Sequence, residues 1–130
     1  TRLWLREDPH SFHMLLQKIT QVTISYLKAQ IAAGVDVLQI FDSWANVLDE
    51  GEFSLFSLPY LKQIIDALRD TGVPLILFCR GSTERVAPLV SLAPSAISFD
   101  WLRPIDELRR AVPAGIAIQG NFSPDIFKKP

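Results

Sequence analysis

The sequence predicts an α/β fold built on a parallel sheet, and three observations carry that prediction. Four short apolar runs, Val35–Phe41, Val73–Phe78, Ala96–Phe99 and Ile116–Ile118, are rich in Val, Leu, Ile and Phe. That composition suits strands buried on both faces under helices. Between the runs, apolar residues recur at three- and four-residue steps, the helical period. Strand and helix alternate about every 25 residues, and such connections fit right-handed βαβ crossovers.

Taken in order, Asp8-Pro9 reads as a helix start, with Pro in the first turn. Phe12, Leu15, Leu16, Ile19, Val22 and Leu27 follow at helical spacing. A turn near Thr20 is expected to divide this region into two helices, the second reaching about Ala33, with Gly34 as the stop. Val35–Phe41 is the first strand, and a loop from Asp42 to Glu52, containing Gly51, leads into Phe53–Leu58. Pro59 opens a helix to Asp70 with Leu61, Ile64, Ile65 and Leu68 on one face, ended by Thr71-Gly72. Val73–Phe78 is the second strand and Cys79-Arg80-Gly81-Ser82 its terminal loop. Thr83–Leu92 reads as a short helix broken or bent by Pro88. Ala96–Phe99 is the third strand, closed by Asp100-Trp101. In the helix Pro104–Ala111, Asp106 and Glu107 precede Arg109 and Arg110, the order the helix macrodipole favours. Ile116–Ile118 begins the fourth strand, which ends in Gln119-Gly120-Asn121. Four such units make either a small open sheet or about half of an eight-stranded barrel, and periodicity leaves both open.

With 130 residues and no low-complexity tract or linker, the chain suits a single domain over residues 1–130. Its 48% hydrophobic content supplies a substantial core. A net charge of -1, with acids and bases mixed along the chain, lacks the basic stripe of a nucleic-acid-binding domain. The single Cys79 cannot form an intrachain disulfide and fits a reducing compartment. Residues 1–8 do not read as a signal peptide, and no apolar run reaches the ~18 residues of a membrane span. A cytoplasmic protein with no membrane partner is therefore expected. The chain opens on Thr, without an initiator Met, as a piece of something longer would.

Parallel strands bring Asp42-Ser43, Cys79-Arg80-Gly81, Asp100-Trp101 and Gln119-Gly120-Asn121 to one rim, where α/β folds collect their chemistry. Singly, such residues cap helices or tie loops together; four in series point to a site. Ser43 has no evident general base, since His10 and His13 fall in the first helical segment and no G-x-S-x-G elbow is present. Neither G-x-G-x-x-G nor a P-loop occurs. Cys79 lacks His or Cys at metal-ligand spacing and reads as a small buried residue, so no metal is expected. Asp42 and Asp100 are candidate acid/base groups, for which bonding to loop N–H groups is the expected role.

Tyr26–Gly34 leading into Gln39-Ile40-Phe41-Asp42-Ser43-Trp44-Ala45 resembles the uroporphyrinogen decarboxylase family. So do Leu58-Pro59-Tyr60, the strand with Phe78 and Gly81, Ser98-Phe99-Asp100-Trp101, and Gln119-Gly120-Asn121 with Pro124. The motifs run in the family's order from about Asp8 to Phe127 and match the middle-to-late part of its sequence, less than half of it. The resemblance implies part of a (β/α)8 TIM barrel, about four βα units preceded by helices, homodimeric when complete and needing no metal or organic cofactor. It implies a decarboxylase of haem and porphyrin biosynthesis that converts the four acetate side chains of uroporphyrinogen III, giving coproporphyrinogen III. Protonation of a pyrrole carbon makes a cationic intermediate, which loss of carbon dioxide quenches. The protein must therefore stabilise developing charge and hold many carboxylates.

By the same match, Ser43 hydrogen-bonds a substrate carboxylate and Phe41 lines the cleft, while Asp42, Asp100, Trp101, Gln119 and Asn121 shape it. The family's catalytic Asp, an Arg-rich carboxylate-binding segment and a substrate-binding Tyr match positions before this chain's start. A substrate-contacting His matches a position beyond Pro130. The chain alone is thus expected to be inactive. Two other readings stand beside this one. A zinc- and corrinoid-dependent methyltransferase of the related barrel family carries a His-x-Cys zinc pair at the strand matching Leu75–Cys79, where this chain has Leu77. A non-catalytic half-barrel would pair its open strand edges with a partner.

Overall fold

In the computed structural model, which describes residues 2–128, a short helix over Arg2–Glu7 that the sequence did not signal precedes the helix start expected at Asp8-Pro9. The Asp8 carboxylate accepts a hydrogen bond from Ser11 N at 3.1 Å, and Pro9 occupies the first turn of the helix it caps. The chain forms two compact units, one running through Asp36 and resuming over Glu50–Val73, the other comprising Val37–Asp49 and the chain from Pro74 on.

The first unit holds α1 (Arg2–Glu7), α2 (Pro9–Ala32), α3 (Glu50–Phe56) and α4 (Leu58–Leu68). The expected division near Thr20 does not occur. No Pro or Gly interrupts residues 10–33, and Thr20 is buried within one continuous helix. Gly34 follows at φ +90°, the left-handed stop that glycine adopts without a Cβ penalty. Residues 50–52, expected in a loop, instead form the first turn of α3, where Glu50 and Glu52 suit the positive end of the helix. α4 buries Leu61, Ile64, Ile65 and Leu68 as expected, but it ends at Leu68, and a 3-10 turn over Arg69–Thr71 precedes Gly72. Side chains knit these helices: Arg6 pairs with Glu52 at 2.9 Å, and Gln17 donates to Gln63 at 3.0 Å. Trp4, Phe12 and Phe56 meet edge to face at 5.4 and 5.5 Å.

The second unit is a parallel sheet of β1 (Leu38–Asp42), β2 (Leu75–Cys79), β3 (Ala96–Ser98) and β4 (Ala117–Gln119) in the order β1-β2-β3-β4. α5 (Val86–Ser91) links β2 to β3 and α6 (Ile105–Ala111) links β3 to β4. A doubly wound sheet reverses its strand order at a switch point; here no reversal occurs, which is the order of a barrel wall. Right-handed crossovers in unbroken order place successive helices on one face. Burial follows that geometry: Leu77, Cys79, Leu89, Ile97 and Leu108 are all fully buried.

The expected burial of both strand faces is only half realised. Register and alternation set Phe41, Ile76, Phe78, Ser98 and Gln119 on the other face, where Phe41 is 65% exposed and Gln119 is exposed. Helices cover one side of a singly wound sheet, and the opposite side is left partly open.

β1, β2 and β4 also start later than the apolar runs, whereas β3 starts at Ala96 as expected. Pro74 has no N–H to give, so its carbonyl accepts from Leu38 N at 2.9 Å and the ladder begins beyond it. Pro88 neither breaks nor bends a helix. It is the third residue of α5, where its missing N–H would have had no intrahelical partner, and a separate 3-10 turn takes Ser82–Glu84.

Candidate functional site

The rim at the carboxyl ends of the strands is organised by Asp100. This residue follows β3, is 5% exposed, and has both carboxylate oxygens occupied. Oδ2 accepts from Gly81 N at 2.7 Å, while Oδ1 accepts from the buried Thr83 hydroxyl at 2.8 Å and from Leu102 N at 3.4 Å. Its own N–H donates to the buried Ser82 hydroxyl at 3.3 Å. A buried carboxylate is tolerated because donors surround it. Asp100 thus fastens the loop after β2 to the end of β3, the loop-bonding role expected of it.

Neighbouring loops are tied by similar means. Arg85 Nη1 donates to Ala45 O at 2.7 Å and Nη2 to Leu48 O, holding the 3-10 turn Ala45–Val47 that follows β1. Arg103 donates to Thr83 O at 3.2 Å, and Asn121 Nδ2 donates to Arg103 O, so Asn121 secures a loop. The ladder continues past β3, with Phe99 N donating to Gln119 O at 2.8 Å. Gly120 sits at φ +116°, and a Cβ there would come within 2.5 Å of Phe99 O, so backbone meets backbone at this point.

Phe41 and Ser43, the two candidate binding residues, are exposed at the end of β1. The Phe41 ring lies 5.9 Å from that of Phe78 on the open face of the sheet, the face that also carries Gln119. Ser43 stands just beyond the strand. Asp42 lies on the opposite face, in register with Cys79. Burial pushes the Cys79 thiol far up, and the Asp42 charge pushes it further, so the thiol stays protonated and acts as a core residue. Leu77, at the position of the zinc pair's His, is fully buried beside it.

One pocket of about 170 Å³ opens on this rim, lined by Asn46, Arg80, Gly81, Asp100, Trp101 and Leu102. It brings together Asp100 and Trp101 from the expected rim set, while Phe41, Asp42, Ser43, Gln119 and Asn121 do not line it. Sequence reasoning named Arg80 only as a strand-end residue and missed its posture: its guanidinium carbon lies 5.4 Å from the centre of the Trp101 ring. The signal was positional, since both residues end adjacent strands, but it becomes visible only once β2 and β3 are known to be neighbours.

Away from the sheet, half-buried His13 packs among aromatic side chains. Nδ1 lies 2.6 Å from the Tyr60 hydroxyl, and the ring stacks on Phe56 at 4.7 Å. Burial raises the Tyr60 pKa. Among the described residues, no group of three His, Cys, Asp or Glu is placed to hold a metal ion. No helix among them is long and apolar enough to cross a membrane.

Comparison with known proteins places this geometry. The family model described as uroporphyrinogen decarboxylase (URO-D) matches residues 1–129. A uroporphyrinogen decarboxylase of Protochlamydia amoebophila is 47% identical over 127 residues, which cover 98% of this chain and 35% of that protein. Those of an Anaeromyxobacter species and of Desulfotalea psychrophila are 42% and 41% identical, covering 97% and 95% of this chain and 36% of each relative. The chain therefore spans about a third of the length of the curated relatives it matches.

Proposed function

The chain belongs to the uroporphyrinogen decarboxylase family, and from that premise we propose that it is the middle-to-late segment of an enzyme that decarboxylates the four acetate side chains of uroporphyrinogen III to yield coproporphyrinogen III. The observation that carries this reading is the unbroken family match over residues 1–129, running through every βα unit of the sheet. The family is a (β/α)8 barrel, and this chain is part of one, with its four parallel strands in sequential order. On this reading residues 1–130 belong to a single barrel domain, and the rim described above forms part of the mouth of the cleft.

Each rim residue then has a role. The exposed Ser43 hydroxyl donates to a substrate carboxylate, and the exposed Phe41 ring lines the cleft beside Phe78. Asp42, Gln119 and Asn121 shape the cleft, while Asp100 holds its loops through neutral donors. The catalytic Asp and the remaining binding groups lie in the family's sequence outside the span of this chain, so the segment alone is inactive. The complete enzyme works as a cytoplasmic homodimer, with neither metal nor organic cofactor. The methyltransferase alternative finds no support at Leu77, which stands where the zinc pair's His would be and cannot ligate zinc.

The test is to express the full-length polypeptide carrying this sequence and supply it with uroporphyrinogen III. Release of carbon dioxide with accumulation of coproporphyrinogen III is expected. A well-folded full-length protein that leaves uroporphyrinogen III unchanged, or that purifies with stoichiometric zinc, overturns the assignment.

A further inference from the structure

Arg80 stands apart from the other arginines whose side chains are described. Arg6 pairs with Glu52, Arg69 with Asp66, Arg110 with Asp106, and Arg103 with Glu107 and Thr83 O. Arg85 and Arg109 donate to backbone carbonyls. The Arg80 guanidinium has no carboxylate or carbonyl partner among the described residues. Its guanidinium carbon lies over the Trp101 ring, 5.4 Å from the centroid, and it lines the rim pocket. A guanidinium held over an aromatic ring by its charge spends no N–H donor on that contact, so its fork remains available to a planar anion. The backbone fixes the origin of the side chain, with Arg80 N donating to Asp42 O at 3.0 Å.

We infer that Arg80 is a substrate-positioning residue that binds one carboxylate arm of the tetrapyrrole, with Trp101 as the platform that pre-orients it. This inference rests on the function proposed above and adds to Ser43 a second, charged contact on the same rim. Size supports an arm over a whole ligand: about 170 Å³ lies well below the roughly 300–1,000 Å³ of sites that enclose a small molecule. The pocket takes a carboxymethyl or carboxyethyl group while the macrocycle lies outside it. The one acid in its lining, Asp100, does not oppose this, because its oxygens are turned into the Gly81, Thr83 and Leu102 donors. Nor does Asp100 form an ion pair with Arg80, which keeps the guanidinium available. Arg80 carries no catalytic role here; it holds the substrate in place and reduces the entropy lost at the reacting ring.

The experiment is steady-state kinetics on the full-length enzyme with uroporphyrinogen III, comparing wild type with Arg80→Gln, Arg80→Lys and Trp101→Leu. A charge-assisted bond of this kind predicts a KM about tenfold higher for Arg80→Gln at low salt, with kcat within about twofold. Arg80→Lys, which keeps the charge but loses the fork, recovers part of the loss. Raising ionic strength narrows the gap between wild type and Arg80→Gln. Trp101→Leu raises KM in the wild-type background but adds little in the Arg80→Gln background, because it acts through Arg80. An Arg80→Gln enzyme with unchanged melting temperature and KM within twofold of wild type overturns the inference while leaving the decarboxylase assignment standing. A wild-type enzyme that does not turn over uroporphyrinogen III overturns the assignment, and this inference with it.

Discussion

At the scale of the residue, the rim separates groups that hold the protein together from groups that face outward. Asp100 belongs to the first kind. Removing its carboxylate in Asp100→Ala strips acceptors from Gly81 N and from the fully buried Thr83 hydroxyl. Each unsatisfied buried donor costs about 1–3 kcal/mol, so the full-length protein should lose about 3 kcal/mol, read as a lowered urea midpoint with unchanged slope. A loss under about 1 kcal/mol would mean that water replaces the carboxylate and that the knot is not structural. Ser43 belongs to the second kind, exposed one residue beyond β1. Ser43→Ala in the full-length enzyme should raise KM for uroporphyrinogen III by about tenfold or more, the worth of one hydrogen bond to a charged partner, and leave the melting temperature within a degree or so. An unchanged KM paired with a much lower melting temperature would refute the binding role.

At the scale of the element, the sequence made existence and type legible but left the ends uncertain, for identifiable reasons. Helical periodicity over residues 9–33 was unmistakable, but the expected turn at Thr20 had no Gly or Pro behind it, and α2 runs straight through. β1 and β2 start later than their apolar runs because hydrophobicity extends past the ladder: Val37 is apolar yet about half exposed, and Pro74 offers only a carbonyl. Pro88 was misjudged because the 3-10 turn before α5, which moves Pro88 into a first turn, leaves no mark in the hydrophobic pattern. The placement of Phe41 and Ser43 at the end of a strand was legible because it follows from the chain's own order. The Arg80–Trp101 cation–π contact needed the sheet order as well. The one stop read correctly in both place and conformation is Gly34, at φ +90°. No atom lies within 4 Å of a Cβ built there, so the penalty for a side chain is backbone strain alone. Gly34→Val should therefore cost about 2 kcal/mol and Gly34→Asn less than about 1, since Asn visits the left-handed region and β-branched residues do not. Equal thermal midpoints for the two variants would show that residue 34 leaves the left-handed region when substituted.

At the scale of the whole molecule, these 130 residues form a sheet that lacks what parallel sheets normally require. Parallel strands are characteristically covered on both faces and paired at both edges, because an uncovered ladder presents unpaired N–H and C=O groups to any other chain. Here β1 and β4 are the outer strands of the order β1-β2-β3-β4, and the face carrying Phe41 and Gln119 is open. In the helical unit, Leu15, Ile19, Val22 and Tyr26 form an exposed seam along α2 at four-, three- and four-residue steps, the spacing of a helix face made for a partner. A complete barrel closes its edges on its own strands and packs neighbouring helices side by side. The 130-residue polypeptide expressed alone should meet the same needs by association with itself. Sedimentation velocity on it should show a weight-average mass that climbs with concentration, whereas the full-length protein should keep one fixed oligomeric state over the same range. A stable species at 14.6 kDa that holds this mass at every concentration would show that the open edges and the α2 seam drive no association. The segment would then be an autonomous folding unit that does not depend on the rest of a barrel.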